Sequence, residues 1–208
     1  MNRRSFLALP LLALLAAGAA PAAPLSAADQ ADLKRIETYL DGLRTLKARF
    51  LQVAPDGATS EGTVWMERPG RMRFQYDPPS PLLLVAGHGL FIFHDSQVNQ
   101  TTNLPLSDTP LGILLSDHLQ LSGALTVTGL ERLPGQIQVS VVRTASPGEG
   151  SLTLVFSDNP LGLRQWSVVD AQHQETRVTL YNVELGGTFN PDLFVFNPAT
   201  GSSGGPGG

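Results

Sequence analysis

The sequence predicts a mainly β protein with some α structure, in which one long antiparallel sheet packs against an N-terminal helix and a short internal helix. Two observations predict this architecture. Apolar residues recur at helical spacing between residues 29 and 50; after Pro55-Asp56-Gly57 they alternate with polar residues, and turn residues come at short intervals. Hydrophobic residues make up 42% of the 208 residues and charged residues 15%, which suits one domain with one core.

The first 27 residues have the order of parts found in an export signal. Arg3 and Arg4 precede an apolar run over residues 8–20, and small residues and prolines follow it. This run is shorter than the roughly 20 residues that span a bilayer. We therefore expect residues 1–27 to be a removable leader and the mature chain to be a soluble periplasmic protein. The paired arginines leave both the twin-arginine and the Sec export routes open.

Cysteine content and charge narrow the classes of partner. The chain has no cysteine, so packing alone must hold the fold, and no cysteine near the leader could carry a lipid anchor. Without Arg3 and Arg4, 12 Lys and Arg stand against 18 Asp and Glu, which gives a net charge near −6. Nucleic acids and anionic lipid surfaces select for basic patches, so neither is expected as a partner.

The first element after the leader is predicted to be an amphipathic helix over residues 29–50. Its apolar stripe consists of Leu33, Ile36, Leu40, Leu43 and Phe50. Ser26 with Asp29 three residues later is typical of a capping box, and Gly42 weakens the middle of the helix by about 1 kcal/mol relative to Ala. Such a helix must lie on an apolar surface.

Two sets of strands follow this helix. The predicted strands cover residues 63–68, 72–76, 82–86, 90–94 and 98–103, then 125–130, 136–144, 151–157, 164–170, 176–183 and 193–196. Glycine and proline in the short connections at 87–89, 147–150 and 159–162 indicate tight hairpins, so consecutive strands should be neighbours.

A short helix is predicted between the two sets of strands, over residues 110–119. Thr109-Pro110 is a typical helix start, and Leu111, Leu114 and Leu115 then follow at helical spacing. The glycine- and serine-rich residues 199–208 cannot bury a core and are expected to be disordered.

The sequence offers little for catalysis or metal binding. Its four histidines are His88, His94, His118 and His173. None pairs with another at metal-ligand spacing, no serine lies in a Gly-x-Ser-x-Gly turn, and no glycine-rich phosphate loop precedes a helix. We therefore expect no metal, no cofactor and no enzyme activity.

The most informative stretch is residues 65–79. Met72, Phe74 and Tyr76 share one face of a predicted strand because strand side chains alternate. By the same parity Arg68 points with the apolar Met66, so its guanidinium needs acceptors, and free carbonyls at a helix end or loop could supply them. From the residues alone, the pattern favours an ordinary core for Met72, Phe74 and Tyr76 and a surface position beside a turn for Arg68.

This stretch, with residues 62–64, 82–85, 89–93, 97–100 and 109–111, resembles the LolA family of lipoprotein carriers, and the similarity covers essentially the whole mature chain. The resemblance implies a curved, incomplete β-barrel (a half-barrel) over residues 28–198, covered by the N-terminal helix and a lid helix at 110–119. It implies a monomeric periplasmic carrier that binds lipoprotein acyl chains. The carrier would take them from the inner-membrane Lol ABC transporter and pass them to an outer-membrane receptor or to the outer membrane itself.

The resemblance also implies roles for individual residues. Arg68 matches the arginine that tethers the lid to the sheet when the cavity is empty. The lipid-binding residues would be Met72, Phe74, Tyr76, Leu111, Leu114 and Leu115. Two departures from the family pattern bear on this. His94 stands where a tyrosine is expected, which predicts a more polar lining, and the chain ends soon after Phe196, which puts the direction of handover in question.

Other functions on the same scaffold stay open at this point. A carrier or sensor of another lipid, such as a phospholipid or glycolipid, would have the same sequence features. An enzyme would need acid and base groups that converge in the cavity, and the sequence contains only scattered candidates.

Overall fold

The structure is a computed structural model in which residues 25–197 are described; the predicted leader and the predicted disordered tail lie outside the described residues. Its strands are β1 (Thr45–Val53), β2 (Thr59–Glu67), β3 (Arg71–Tyr76), β4 (Leu82–Gly87), β5 (Leu90–Asp95), β6 (Gln100–Pro105), β7 (Leu125–Leu133), β8 (Gln136–Arg143), β9 (Gly150–Ser157), β10 (Gly162–Asp170) and β11 (Glu175–Leu185). The α-helices are α1 (Ala27–Gly42) and α2 (Leu111–Leu114), and single 3-10 turns cover Leu106–Asp108, Pro147–Glu149 and Pro191–Phe194.

All eleven strands belong to one antiparallel sheet whose two end strands, β6 and β7, are not paired with each other. The order is β6-β5-β4-β3-β2-β1-β11-β10-β9-β8-β7, so β1 joins a first arm (β2 to β6) to a second arm (β11 to β7). Every other neighbour follows in sequence, which confirms the predicted meander within each arm. The prediction of a mainly β, incomplete barrel is confirmed.

The sheet curves strongly, as contacts between its two arms show. Phe74 on β3 and Trp166 on β10 lie four strands apart, which is roughly 19 Å in a flat sheet. Their ring centroids are only 6.1 Å apart. The face that carries these two rings, the inner face, is therefore concave and holds the core.

A β-bulge marks the turn between the arms. Lys47 pairs with Glu184 and Arg49 with Tyr181, so two residues of β11 stand opposite the single Ala48 of β1. One of the two, Asn182, has a left-handed backbone with φ of 53°. A bulge increases local twist and bends the strand, which is what the junction of two arms requires.

Helix α1 begins as predicted but ends earlier. Ser26 and Asp29 form the expected capping box, and Leu33, Ile36 and Leu40 are buried against the inner face. The prediction of helix as far as residue 50 is wrong, because the chain leaves the helix after Gly42 and enters strand β1. None of the helices in residues 25–197 has the length and hydropathy of a membrane span.

Two other predicted elements differ from the structure. The helix expected over 110–119 is a single turn, Leu111–Leu114, and the chain beyond it is irregular. The strand expected over 193–196 is wrong: Pro191–Phe194 form a 3-10 turn that lies on the outer face of β3 and β4. Asn190 caps that turn by accepting from the Asp192 amide at 3.0 Å, which favours a turn over a strand.

Candidate functional site

An open cavity of about 480 Å³ lies on the inner face between the two arms. Its apolar wall consists of Phe74, Leu84, Phe91, Phe93 and Leu104 from the first arm and Trp166, Val168 and Val178 from the second. Phe93 is 37% and Leu104 48% exposed, so the cavity opens toward the free edge of the first arm. Its size falls in the range of sites that hold one small ligand, about 300 to 1,000 Å³.

Polar groups in this cavity lie mainly at its rim. The rim carries three carboxylates, those of Asp108, Glu149 and Asp170. Asp170 accepts from the backbone amides of Gln172 and Gln174, which fixes the turn after β10. Deeper in the cavity, Tyr76 donates a hydrogen bond from its hydroxyl to Oε1 of Gln52 at 2.7 Å.

One wall of the cavity is formed by the lid segment, which we define as residues 106–121. Its apolar side chains turn toward the inner face and are buried: Leu106, Leu111, Ile113, Leu114, Leu115, Leu119 and Leu121. The far end of the segment is bound to α1, because the Leu121 amide donates to Oε1 of Glu37 at 2.8 Å. The near end is bound to β8, because Arg143 donates to the Thr109 carbonyl at 2.9 Å.

Arg68, which directly follows β2, connects the lid segment to α1. Its Nε and Nη2 donate to the Ser116 carbonyl at 3.0 and 2.6 Å, and its Nη1 donates to the Leu40 carbonyl and, at 3.4 Å, to that of Leu43. The Leu40 carbonyl lies in the last turn of α1, where it also accepts from the Leu43 amide at 3.1 Å, and its second lone pair is available to Arg68. Arg68 is 4% exposed, and burial lowers the pKa of its guanidinium.

Arg44 also reaches the lid segment, but from the solvent side. Arg44 donates to Asp117 at 2.6 Å, and both side chains are about half exposed. Exposed pairs of this kind contribute little to stability, because solvent screens them. Arg68, with its buried carbonyl partners, is thus the stronger of these two connections.

The residues predicted to bind lipid fall into two groups in the structure. Phe74, Tyr76 and Leu111 line the cavity. Met72, Leu114 and Leu115 are fully buried in the core and do not line it. The parity argument thus placed the β3 residues on the correct face, but the lid segment and α1 cover part of that face.

Several residues of the cavity wall were not predicted from sequence, among them Gln52, Phe91, Phe93 and Trp166. A signal existed for the two phenylalanines, since the alternation Leu-Phe-Ile-Phe in β5 places both on one face. No such signal exists for Trp166. Its position in the cavity wall depends on the register of β10 with β11 and of β11 with β1, which the local sequence does not show.

The prediction of a more polar lining at His94 is wrong. His94 pairs with Leu83, so it points to the outer face, where it is 4% exposed. Its Nδ1 lies 3.0 Å from the Thr101 hydroxyl, and its ring lies 5.1 Å from that of Phe196. Within residues 25–197 no three His, Cys, Asp or Glu residues are grouped as a metal site.

The fold and cavity define the class: an open antiparallel half-barrel with an apolar internal site beneath a lid. Comparison with known proteins agrees. Residues 41–197 match the family model described as "Outer membrane lipoprotein carrier protein LolA". The chain belongs to the LolA family, as its sequence motifs indicated.

Two relatives known by sequence support this assignment. The chain is 29% identical to an outer-membrane lipoprotein carrier protein of Methylococcus capsulatus, over 84% of this chain and 87% of the relative. It is 30% identical to one of Alkalilimnicola ehrlichii, over 85% of this chain and 83% of the relative. Among solved structures, a LolA superfamily protein from Nitrosomonas europaea matches with a TM-score of 0.43 and 10% identity, over 79% of this chain and 97% of that structure.

Proposed function

We propose that this chain is a periplasmic carrier that shelters the acyl chains of lipoproteins and moves them from the inner-membrane Lol ABC transporter to the outer membrane or a receptor there. The observation that supports this most directly is the combination of an apolar cavity with a lid segment held by Arg68. The names of its relatives, which are lipoprotein carriers, support the choice of cargo. The predicted leader supports a periplasmic location, and the mature carrier would extend over residues 28–198.

On this proposal the cavity must enlarge to take its cargo. A volume of about 480 Å³ suits a single small ligand, whereas a lipoprotein anchor carries more than one acyl chain. On this proposal Leu114 and Leu115 of the lid segment become exposed when it moves away, and so does Met72 of the inner face; all three are buried in the closed form. The residues buried in the closed form would then join Phe74, Tyr76 and Leu111 as the lipid-binding wall.

Arg68 acts as a latch in this proposal. Its two hydrogen bonds to the Ser116 carbonyl exist only while the lid segment lies in its closed position, so they stabilise the closed, empty form. Removing them favours the open form, and cargo that binds the open form then binds more tightly, because less free energy is spent on opening. Tighter binding opposes handover.

The proposal is tested by isolating the full chain from the periplasm and identifying what it carries by mass spectrometry. Bound lipoprotein supports the proposal; bound phospholipid or glycolipid without lipoprotein would replace it with a general lipid carrier. A purified assay then follows lipoprotein from inner-membrane vesicles to the carrier and on to outer-membrane vesicles.

In that assay Arg68→Leu should load lipoprotein and fail to pass it on. The matched control is Arg44→Gln, which removes the exposed contact to the same lid segment and should transfer normally. Normal transfer by Arg68→Leu would refute the latch while leaving the carrier function standing.

A further inference from the structure

One polar pair interrupts the apolar wall of the cavity. Along β1 the inner-face positions are Leu46, Ala48 and Phe50, and the next is Gln52. A polar side chain among apolar neighbours is costly unless its hydrogen bonds are satisfied. What Gln52 binds therefore requires an explanation.

The oxygen of the Gln52 amide, Oε1, has a hydrogen-bond partner. Tyr76 is 6% exposed, and burial raises the pKa of its phenol, so the hydroxyl stays protonated and donates to Oε1 of Gln52. Tyr76 is itself held in place by edge-to-face packing on Phe50, with ring centroids 5.2 Å apart. The structure thus places Oε1 of Gln52 against the phenol and leaves Nε2 as the free end of the amide.

The other half of the amide has no partner among residues 25–197. Nε2 carries two N–H donors, and no described group accepts from them. The buried side-chain polar atom without a partner in this range is Nε of Arg73, on the outer face, so Nε2 of Gln52 is not sealed in the core. Because Gln52 lines the cavity, these donors are available to a ligand there.

We infer that the Gln52 amide is the docking point for the carbonyl oxygen of an acyl ester or amide and thereby sets how deeply an acyl chain enters the cavity. This inference rests on the proposed function. An acyl chain is apolar except at the carbonyl that joins it to its headgroup, and that oxygen only accepts hydrogen bonds. Taken into an apolar cavity without a donor, it would lose its bonds to water and gain nothing.

The indole N–H of Trp166 is the main competing donor in the wall, since no described group accepts from it either. Trp166 is two strands away from Gln52 in register, through Val178 of β11. The two donors can therefore be separated by mutation.

The test compares ligands that differ only in the carbonyl. Binding is measured by calorimetry for a 1-acyl and a 1-alkyl lysophosphatidylcholine of equal chain length, and for the diacyl and dialkyl forms of a lipidated cysteine peptide. One neutral hydrogen bond predicts that wild type prefers each ester over its ether by roughly 2- to 10-fold. The ratio is taken within each variant, so a loss of stability does not affect it.

Tyr76→Phe serves as the background, because it removes the phenol that Gln52→Leu would leave unpaired. Tyr76→Phe with Gln52→Leu should bring the ratio to about 1, from the roughly 2- to 10-fold preference of wild type. If wild type prefers the ester only in the peptide pair, Gln52 recognises the carbonyl of a lipoprotein anchor. If it prefers the ester in both pairs, Gln52 recognises acyl esters in general. Either result supports the role of Gln52.

Other results overturn it. Equal binding of ester and ether by wild type refutes the docking point and leaves the carrier function intact. A preference that survives the double variant and disappears in Trp166→Phe moves the docking point to the indole. Failure of wild type to bind any of the four ligands refutes the inference together with the proposed function.

Discussion

Replacing Arg68 with leucine removes the guanidinium that donates hydrogen bonds to three backbone carbonyls, those of Leu40, Leu43 and Ser116. A hydrogen bond from a charged donor contributes about 1.5 to 3 kcal/mol. The two bonds to the Ser116 carbonyl, which only the closed form makes, thus give about 3 to 6 kcal/mol, and the cost of burying the guanidinium offsets part of it. We expect Arg68→Leu to destabilise the closed form of the lid segment, relative to the open form, by about 2 to 4 kcal/mol.

Hydrogen exchange of the lid amides measures this loss directly. The amides of Ile113 and Leu115 bond within the lid segment at 3.0 and 3.2 Å, and they exchange with solvent when the segment opens. Since 1.4 kcal/mol is a factor of ten, exchange should be about 30- to 700-fold faster in Arg68→Leu, while amides of β9 and β10 stay unchanged.

Two variants serve as controls for that experiment. Arg44→Gln removes an exposed contact to the same segment, so its lid amides should accelerate less than about 5-fold. Arg68→Lys keeps the charge but loses the planar fork, and its exchange should be intermediate. Lid exchange in Arg68→Leu that equals wild type, or that Arg44→Gln matches, would refute the latch.

Three further predictions concern the bulge, acid stability and the cavity. Asn182→Val should lower the melting temperature, because a β-branched residue at φ 53° costs about 1 to 3 kcal/mol, whereas Asn182→Gly should not; equal effects would contradict the role of the bulge. Arg49 holds the pKa of Asp77 below its usual value, so their pairing stabilises the fold fully above about pH 4, the unfolded value, and is lost as pH falls through the folded pKa. Melting curves of Asp77→Asn and wild type should therefore differ at pH 6 and converge in acid, as the pH falls below the folded pKa; a difference that does not shrink in acid would exclude the pair as its cause. Val168→Trp should fill the cavity and abolish acyl binding in calorimetry without lowering the melting temperature, and undiminished binding would place the lipid elsewhere.

The limits of sequence reasoning are clearest where α1 meets β1. Leu43 and Phe50 continue the helical stripe of α1, yet Leu46, Ala48 and Phe50 also alternate as one face of a strand. Short apolar runs fit both periods, and only Gly42 indicated the break. Hairpins were easier to predict, because turns such as His88-Gly89 need positive φ at both residues, here 51° and 77°.

The cavity could be predicted only in part, for a related reason. Parity along one strand assigns Met72 and Phe74 to the same face, and both do lie on it. Which of the two stays uncovered depends on where the lid segment rests, and which residue stands opposite depends on curvature. Phe74 meets Trp166 across 6.1 Å only because the bulge and twist bring the arms together. Neither property is local in sequence.

The buried lid leucines explain how such a carrier could bind cargo without holding it too tightly. An acyl chain gains about 0.8 kcal/mol for each buried methylene, but on the proposed function it enters a surface already covered by Leu111, Leu114 and Leu115. The area that cargo buries is then partly area that the lid segment gives up, so the two compete and the net gain is much smaller than the gross one. The apolar contributions of the lid segment and of the cargo nearly cancel. The few kcal/mol from the Arg68 hydrogen bonds therefore decide between the closed, empty form and the open, loaded form. Opposite effects on loading and handover in Arg68→Leu follow from this competition, whereas a lid that merely covered the cavity would speed or slow both steps together.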